Sequence, residues 1–472
     1  MAQEVKATTA KPTATTFGHV ESIPRKNRRM TNWDLFATWI GANANNGTWY
    51  IGGGVIAACG LVTASTTLII VGLVSYLLLA LASEMGYRTG LPAMALTRAS
   101  FGLRGSFIPS IINVVQFIGW AAVNTFIAAT SISYIFGELF GWPVYGKAGG
   151  NFGLIIGIVI MSVLHLLSIS LGERSVRLIE RIGIVLVVIF VVWESVVVFR
   201  MVSFRDILTW QPPHNLRMSS GVAADTLAAF NLAWVTAASD FSRFTAKKSA
   251  ATTFSFLGAN FGLFWFAFIG LFATIGTAVT LNHFDPNNSD PSTVAAKLGL
   301  GVLALLVIVL TSTTANAVNL MSAGSALTNM VHQLSLNVSL WIVTLVAAAV
   351  TFIPVYLASF LDVFEAFLDG IGMFLGPEIA VFLVDYFFLK GKQYRLAEFT
   401  KVRGAYWYTR GINWVAVASW LLGVVAYWGL KQVTVISTTI GATFIAMIIT
   451  AVIYGLGMRL THPAAAPVEN KD

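Results

Sequence analysis

Charge is what this chain of 472 residues most lacks: Asp, Glu, Lys and Arg together make up only 11% of it, against roughly 25% in soluble domains. Cysteine is almost absent. The sole cysteine, Cys59, excludes a disulfide framework within the chain and any cysteine-cluster metal site, and it leaves the redox compartment undetermined. Histidine is scarce as well, and His165 stands alone in its apolar stretch, without the acid, base or metal constellation a membrane enzyme would need. The formal net charge of +8 does not imply a nucleic-acid partner, because basic residues also orient membrane proteins. What is abundant is apolar sequence, 56% hydrophobic with a mean hydropathy of +0.76, far beyond what a soluble enzyme carries.

The apolar residues fall into long runs at 33–57, 62–84, 106–137, 151–171, 176–200, 221–242, 253–281, 298–331, 337–355, 358–389, 411–430 and 434–458. Each is near the ~20 residues that cross a bilayer, so the chain reads as an all-α integral membrane protein with twelve transmembrane helices. Residues 1–30 lack the apolar core of a cleavable signal and are expected to form a disordered cytoplasmic tail, and residues 459–472 a cytoplasmic carboxyl-terminal tail. If the amino terminus is cytoplasmic, 23 Lys and Arg fall inside and 6 outside. That asymmetry places both termini in the cytoplasm and the chain in the plasma (cytoplasmic or inner) membrane.

The first and sixth runs share a peculiarity. Each is broken near its middle by polar and small residues, WIGANANNGTWYIGGG in one and AAFNLAWVTAASDF in the other. Paired interruptions at corresponding places in two halves point to a transporter built on inverted repeats, with the binding site at the breaks. A helix broken in hydrocarbon exposes backbone groups that cost several kcal/mol each unless something ligates them. Gly41, Gly47 and Gly52 to Gly54 could each be ordinary helix-packing glycines. Packing, however, does not call for three clustered amides, Asn43, Asn45 and Asn46.

Polar groups at mid-membrane depth are site candidates by default. The third run carries Gln116, Trp120 and Asn124 four residues apart, on one helical face. The sixth has Phe230, Asn231 and Trp234, and the eighth has Thr311 to Thr314, Asn316 and Asn319. These are amides, hydroxyls and rings with no formal charge among them, a set suited to a neutral planar heterocycle: carboxamides match a lactam or amidine edge and rings stack on its face. Blander roles exist for several neighbours. Trp193, Trp265, Trp341 and Trp420 suit the membrane interface, the Thr and Ser run can bond back to its own helix, and His165 suits a satisfied interior position. Glu194 must be paired, protonated or near water.

Several separated motifs carry a family resemblance: RASFGLRGS at 98–106, SDFSRF at 239–244, PEIAVFLVDY at 377–386 and YWYTRGINWVAVASWLLG at 406–423. With the patterns of the first and third runs they cover almost the whole chain, and it resembles the nucleobase-cation symporter family, whose members move hydantoins, cytosine, uracil, purines, allantoin and vitamin precursors. The resemblance implies a leucine-transporter-type fold: a five-plus-five inverted repeat over 31–200 and 201–400, with discontinuous helices 1 and 6, and two further helices in 401–458.

It also implies roles. A sodium site would use the carbonyls of Gly41, Ala44 and Leu310 and the hydroxyls of Thr313 and Thr314. Five neutral oxygens suit a hard monovalent cation. Substrate contacts would come from Asn45, Trp120, Asn124 and Asn319, to which helical spacing adds Gln116. One position departs from the pattern. Where many relatives carry a stacking tryptophan nine residues before the aspartate of SDFSRF, this chain has Asn231. Either Phe230 or Trp234 supplies the second stacking face, or the ring is held from one side and Asn231 reads its edge. Asp362, Glu365 and Asp369 share one helical face and are expected to flank an aqueous vestibule, with proton coupling through Glu365 as the alternative.

The expectation is therefore a secondary transporter, not an enzyme and without a cofactor, carrying a small neutral heterocycle with sodium as coupling ion. The runner-up is proton-coupled uptake of a vitamin precursor such as hydroxymethylpyrimidine or thiamine. A channel or a membrane enzyme is the distant alternative, since the polar positions cluster at mid-depth instead of lining a continuous stripe.

Overall fold

The computed structural model describes residues 22–171, 189, 192–286, 289–331, 333–357 and 359–462. The amino-terminal tail up to residue 21, most of the expected fifth span, Arg174, Arg177 and Arg181 of the inner-side count, and the tail beyond residue 462 lie outside the described residues.

Thr31 opens the first membrane helix. Its side chain accepts the Asp34 N–H while the Asp34 carboxylate accepts the Thr31 N–H, a reciprocal cap that fixes where α1 (Asn32–Asn43) begins. α1 stops in mid-apolar sequence, Ala44 and Asn45 leave helical geometry, and α2 (Asn46–Tyr50) restarts before a π-turn over Ile51–Val55. The chain continues through α3 (Leu61–Thr89), the short α4 (Ala93–Phe101), α5 (Phe107–Phe140) and α6 (Asn151–Leu171). Residues 192–201 are helical. The second break separates α7 (Ser220–Val235) from α8 (Ala238–Ser242). Then come α9 (Ser255–Leu281), α10 (Gly301–Met330), α11 (Leu336–Thr351), α12 (Phe360–Val384), α13 (Trp414–Lys431) and α14 (Thr443–Thr461).

Among the described residues, ten helical stretches are long and apolar enough to cross a membrane, and there is no strand beyond isolated bridges. The protein is a multi-pass membrane protein. Val62, Ile70 and Leu77 on α3, Leu345 on α11 and Val425 on α13 are exposed. In water such a surface would be a liability, and in lipid it is the expected exterior. The interior is centred on α7, whose residues from Ala223 to Val235 are all buried, packed between α3 and α12, with α5 against α10 on the other side.

The family motifs prove to be joints of this scaffold. The RASF segment is α4. Asn413 donates its N–H to the Phe101 carbonyl (2.8 Å) and its Nδ2 to that of Ser100 (2.7 Å), and the Tyr408 hydroxyl donates to Ala99 (2.7 Å). Buried Arg98 donates to the Phe399 carbonyl and to Asn329 Oδ1. In SDFSRF, Ser239 and Ser242 donate to the Ala82 and Ser83 carbonyls of α3 (2.7 Å each). Asp240 accepts the Ala93 N–H at the start of α4 (2.9 Å), and Arg243 lies over the Phe244 ring.

The span boundaries differ from the sequence reading in one place that matters. The expected helix 434–458 is two pieces, Thr434–Thr439 and α14, divided at Gly441 (φ +79°). At that corner the buried Asp225 of α7 accepts the N–H groups of Ala442 and Thr443 and the Thr443 hydroxyl, fastening α14 to α7.

Backbone proximity at the first break is tight. A Cβ on Gly52 would fall 1.9 Å from the Ala267 carbonyl oxygen of α9, an overlap that only backbone movement can relieve. Gly52→Ala is therefore expected to cost about 1 to 3 kcal/mol, read as a lower melting temperature and yield of purified protein.

Candidate functional site

The break in α1 is held open by one side chain. Asn45 Nδ2 donates back to the Ala42 carbonyl (2.6 Å), and Asn45 Oδ1 accepts the Thr48 N–H (3.1 Å), so its amide caps both helix ends at once. The Asn45 N–H, which a continuing helix would send to the Gly41 carbonyl, goes to Asn43 (3.0 Å). The Thr48 N–H, which a continuing helix would send to Ala44, goes to Asn45. The two carbonyls nominated for an ion, Gly41 and Ala44, are thus among those at the break whose helical donors have been diverted. Around Gly41 a Cβ would meet nothing within 4 Å.

α10 carries the other oxygens nominated from sequence. Asn46 Nδ2 donates to the Ile308 carbonyl (2.9 Å) and to Ser312 Oγ (2.8 Å), docking the start of α2 on this stretch. Thr313 and Thr314 follow, half-buried. Their hydroxyls donate to the Val309 and Thr311 carbonyls (2.9 Å each), which commits the protons and leaves oxygen lone pairs available. Leu310 sits in the same turn, half-buried. These nominated oxygens are neutral and hard, the donor chemistry a monovalent cation takes.

The structure divides the nominated substrate residues into two groups. Trp120 and Phe230 meet edge to face, centroids 5.0 Å apart at 89°, with Phe364 and Phe367 of α12 at 5.8 and 5.4 Å from the same indole. Gly47 faces this cluster: a Cβ there would lie 3.6 Å from Trp120 and 3.8 Å from Phe230. Trp234 belongs elsewhere, packed on Trp39 of α1 (6.2 Å) and Phe117 of α5 (5.8 Å), so the two broken helices touch through their tryptophans. Of the two candidates for a second aromatic face, Phe230 is the one beside Trp120, and it is perpendicular to it.

The amides around the cluster are incompletely used. Asn124 donates its Nδ2 to the Trp120 carbonyl (3.0 Å), and Asn319 donates to Asn316 Oδ1 (3.4 Å). Left buried without a protein partner are Trp120 Nε1, the side-chain oxygens of Gln116, Asn124 and Asn319, and both polar atoms of Asn231. Each such atom costs about 1 to 3 kcal/mol, and five of the eight residues nominated from sequence carry one. Buried polar groups in native proteins are paired unless a function leaves them waiting.

Gln116 has a structural duty that spacing did not reveal. Its Nε2 donates to Asn113 Oδ1 and to Thr236 Oγ1 (2.7 Å), and the Thr236 hydroxyl faces Asn113 Oδ1 (2.7 Å). Thr236 is the residue at which α7 ends, so an Asn113–Gln116–Thr236 network pins the second break to α5. Asn113 and Thr236 were not singled out from sequence, although Asn113 lies three residues before Gln116 on the same face. Elsewhere, His165 Nε2 lies 3.3 Å from Asn316 Nδ2, a satisfied interior histidine. Glu194 Oε2 accepts the Trp49 indole N–H (3.2 Å). On α12 Asp362 and Asp369 are exposed and Glu365 is half-buried, and Asp369 pairs with Lys431 (2.7 Å).

Because Asn45 holds the break geometry, Asn45→Ala is expected to weaken ion and substrate binding together and to lower stability by about 0.5 to 2 kcal/mol, the usual cost of a lost cap. Parallel binding titrations and a melting curve check this.

Two broken helices, buried polar groups without protein partners and an apolar exterior are what a membrane transporter built on discontinuous helices presents. Residues 22–457 match the family described as permease for cytosine/purines, uracil, thiamine, allantoin, and the chain belongs to that family. The allantoin permease of Bacillus subtilis is 26% identical over 482 residues, spanning 95% of this chain and 94% of that one. The purine-uracil permease NCS1 of Arabidopsis thaliana is 24% identical over 429 residues, 84% of this chain and 69% of that one. Among solved structures, Mhp1, a nucleobase-cation-symport-1 family transporter in a closed conformation with bromovinylhydantoin bound, superposes with a TM-score of 0.74 at 18% identity, covering 93% of this chain and 94% of that one. The inward-facing conformation of Mhp1 gives 0.72.

Proposed function

We propose that this protein is a sodium-coupled symporter of a neutral, N–H-rich planar heterocycle, working by alternating access. The observation that carries the reading is that six buried polar atoms on the nominated residues have no protein partner. Four of the six are amide oxygens, of Gln116, Asn124, Asn231 and Asn319, and the two donors are Trp120 Nε1 and Asn231 Nδ2. Acceptors outnumber donors among these six atoms, which favours a ligand with surplus donors, as in ureide, imide and lactam rings: allantoin, hydantoins, uracil and oxopurines. The ring lies against the Trp120 indole, and Asn231, standing where relatives carry a stacking tryptophan, reads its edge.

Sodium takes the carbonyls of Gly41, Ala44 and Leu310 and the hydroxyls of Thr313 and Thr314. Binding there neutralises the free carbonyls, fixes the geometry that Asn45 staples, and so orders α2 and Gly47 against the aromatic cluster before the base arrives. Coupling of ~1 to 3 kcal/mol would give a ~5- to 150-fold effect of sodium on base affinity. An inward negative potential adds ~2.3 kcal/mol per 100 mV for each cation carried. In this reading the chain has twelve transmembrane helices, five-plus-five in inverted repeat with two more at the carboxyl end, in the plasma membrane with both termini cytoplasmic.

Uptake of radiolabelled allantoin, uracil, hypoxanthine and a hydantoin into proteoliposomes tests the reading. Saturable accumulation of one of them against its gradient, driven by sodium and not by potassium, is expected. Sodium-independent equilibration would make the protein a facilitator and overturn the coupling.

A further inference from the structure

We propose that Glu378 is a proton-binding site and that the transport cycle carries a proton through it, in addition to the ion held at the α1 break. The inference rests on the transporter reading above. Six Asp or Glu residues are buried among the described residues, and five have donors: Glu84 from Arg88, Glu194 from Trp49, Asp225 from Ala442 and Thr443, Asp290 from Ser292 and Thr293, and Asp385 from Tyr394 and Tyr454. Glu378 is the exception, 0% exposed with neither carboxylate oxygen hydrogen-bonded. An ionised carboxylate left alone inside a membrane protein is far more costly than a neutral one. In this conformation Glu378 therefore holds a proton.

Its place in the fold gives that proton a way to be released. Pro377, inside α12, has no N–H, so the Met373 carbonyl lacks its regular helical donor, and the next carbonyl, Phe374, accepts the Trp420 indole (3.1 Å). The helix is loosened at the turn that carries the acid. One turn on, on the same face, Phe382 lines a small cavity with Val235, Thr236 and Ser239 at the α7–α8 junction. Opening of that junction toward the cytoplasm admits water along Phe382. The carboxyl then ionises, its proton leaves to water, and closure requires a proton to return.

No charged group on the elements packed against α12 is bonded to Glu378. On α7, Asp225 is held by Ala442 and Thr443, and on α4, Arg98 is engaged with Phe399 and Asn329. On α13, Lys431 binds Asp369, which the Tyr427 hydroxyl also faces. In the turn after α12, Asp385 is bound by the Tyr394 and Tyr454 hydroxyls, while the Tyr386 hydroxyl is buried and unpaired eight residues beyond Glu378. Glu138 of α5, Arg459 of α14 and Tyr356 are exposed near helix ends.

The test uses full-length protein in liposomes with equal sodium on both sides and the potential clamped at zero, with labelled allantoin and uracil as probes. An acid-outside gradient should accumulate the base about tenfold per pH unit for one proton. Glu378→Gln should retain base-for-base exchange and lose the pH-driven accumulation. Retention of the gradient response in Glu378→Gln, or its loss in Glu194→Gln instead, overturns the proposal. Infrared spectra of the purified protein provide a readout that needs no substrate and does not depend on the Gln variant folding. A neutral carboxylic acid band should be present at neutral pH in the parent, shift in Glu378→Asp and vanish in Glu378→Gln; its absence from the parent overturns the proposal. If the parent exchanges neither base, the transport reading fails for those bases while the infrared band still decides the proton.

Discussion

Asn319→Ala is expected to weaken base binding about 5- to 150-fold, the equivalent of removing an interaction of ~1 to 3 kcal/mol from a buried site, while the sodium concentration giving half-maximal activation stays where it is. The side chain is buried, its Nδ2 leans on Asn316 Oδ1 at the long distance of 3.4 Å, and its Oδ1 has no protein partner. Truncation therefore removes an acceptor that only a ligand satisfies and disturbs little of the scaffold. In the free protein it removes one unpaired polar atom and leaves another, Asn316 Oδ1, without its donor, so the melting temperature without ligand should change little. Equilibrium binding of the transported base to parent and variant provides the measurement. An unchanged affinity would move the base away from α10.

Thr314→Ala should do the opposite. Its hydroxyl donates to the Thr311 carbonyl, so the lost group is an oxygen offered outward with its proton already committed. With one of five proposed ligands gone, half-activation should need roughly tenfold more sodium or beyond, about 1.4 kcal/mol of ion binding. At saturating sodium the base affinity should return toward the parent value, because the amides and the indole are untouched. Uptake rates across a sodium series, at fixed ionic strength, separate this from general damage. Superimposable activation curves for parent and variant would remove Thr314 from the ion site.

Both breaks were legible in the sequence, because three clustered asparagines have no packing rationale in one apolar run and polar and small residues interrupt the other near its middle. Which amide does what was not legible. Asn45 looked like a substrate contact and is a staple whose two polar ends are both occupied by backbone; its position as the cap of α2, three residues before Thr48, is the signal that could have shown it. Gln116 shared a helical face with Trp120 and Asn124, yet its amide nitrogen serves Asn113 and Thr236. Face and spacing give direction along one helix and say nothing of what a second helix brings to meet it. The separation of Trp234 from Trp120 has the same origin, since both lie in runs where an aromatic fits a site or a core equally well. The division of the last span at Gly441 depends on Asp225, more than 200 residues earlier in the chain, and no local pattern could have announced it. Glu378 lay in plain view in PEIAVFLVDY, but its isolation from donors is a property of the packed helices.

Whether an ion at the α1 break prepares the site for the base is measured most directly by the dissociation constant of the transported base for purified protein in sodium and in potassium, at equal ionic strength. The account predicts tighter binding in sodium by about 5- to 150-fold, with the base tightening sodium by the same factor. Equal affinity in the two salts would contradict it.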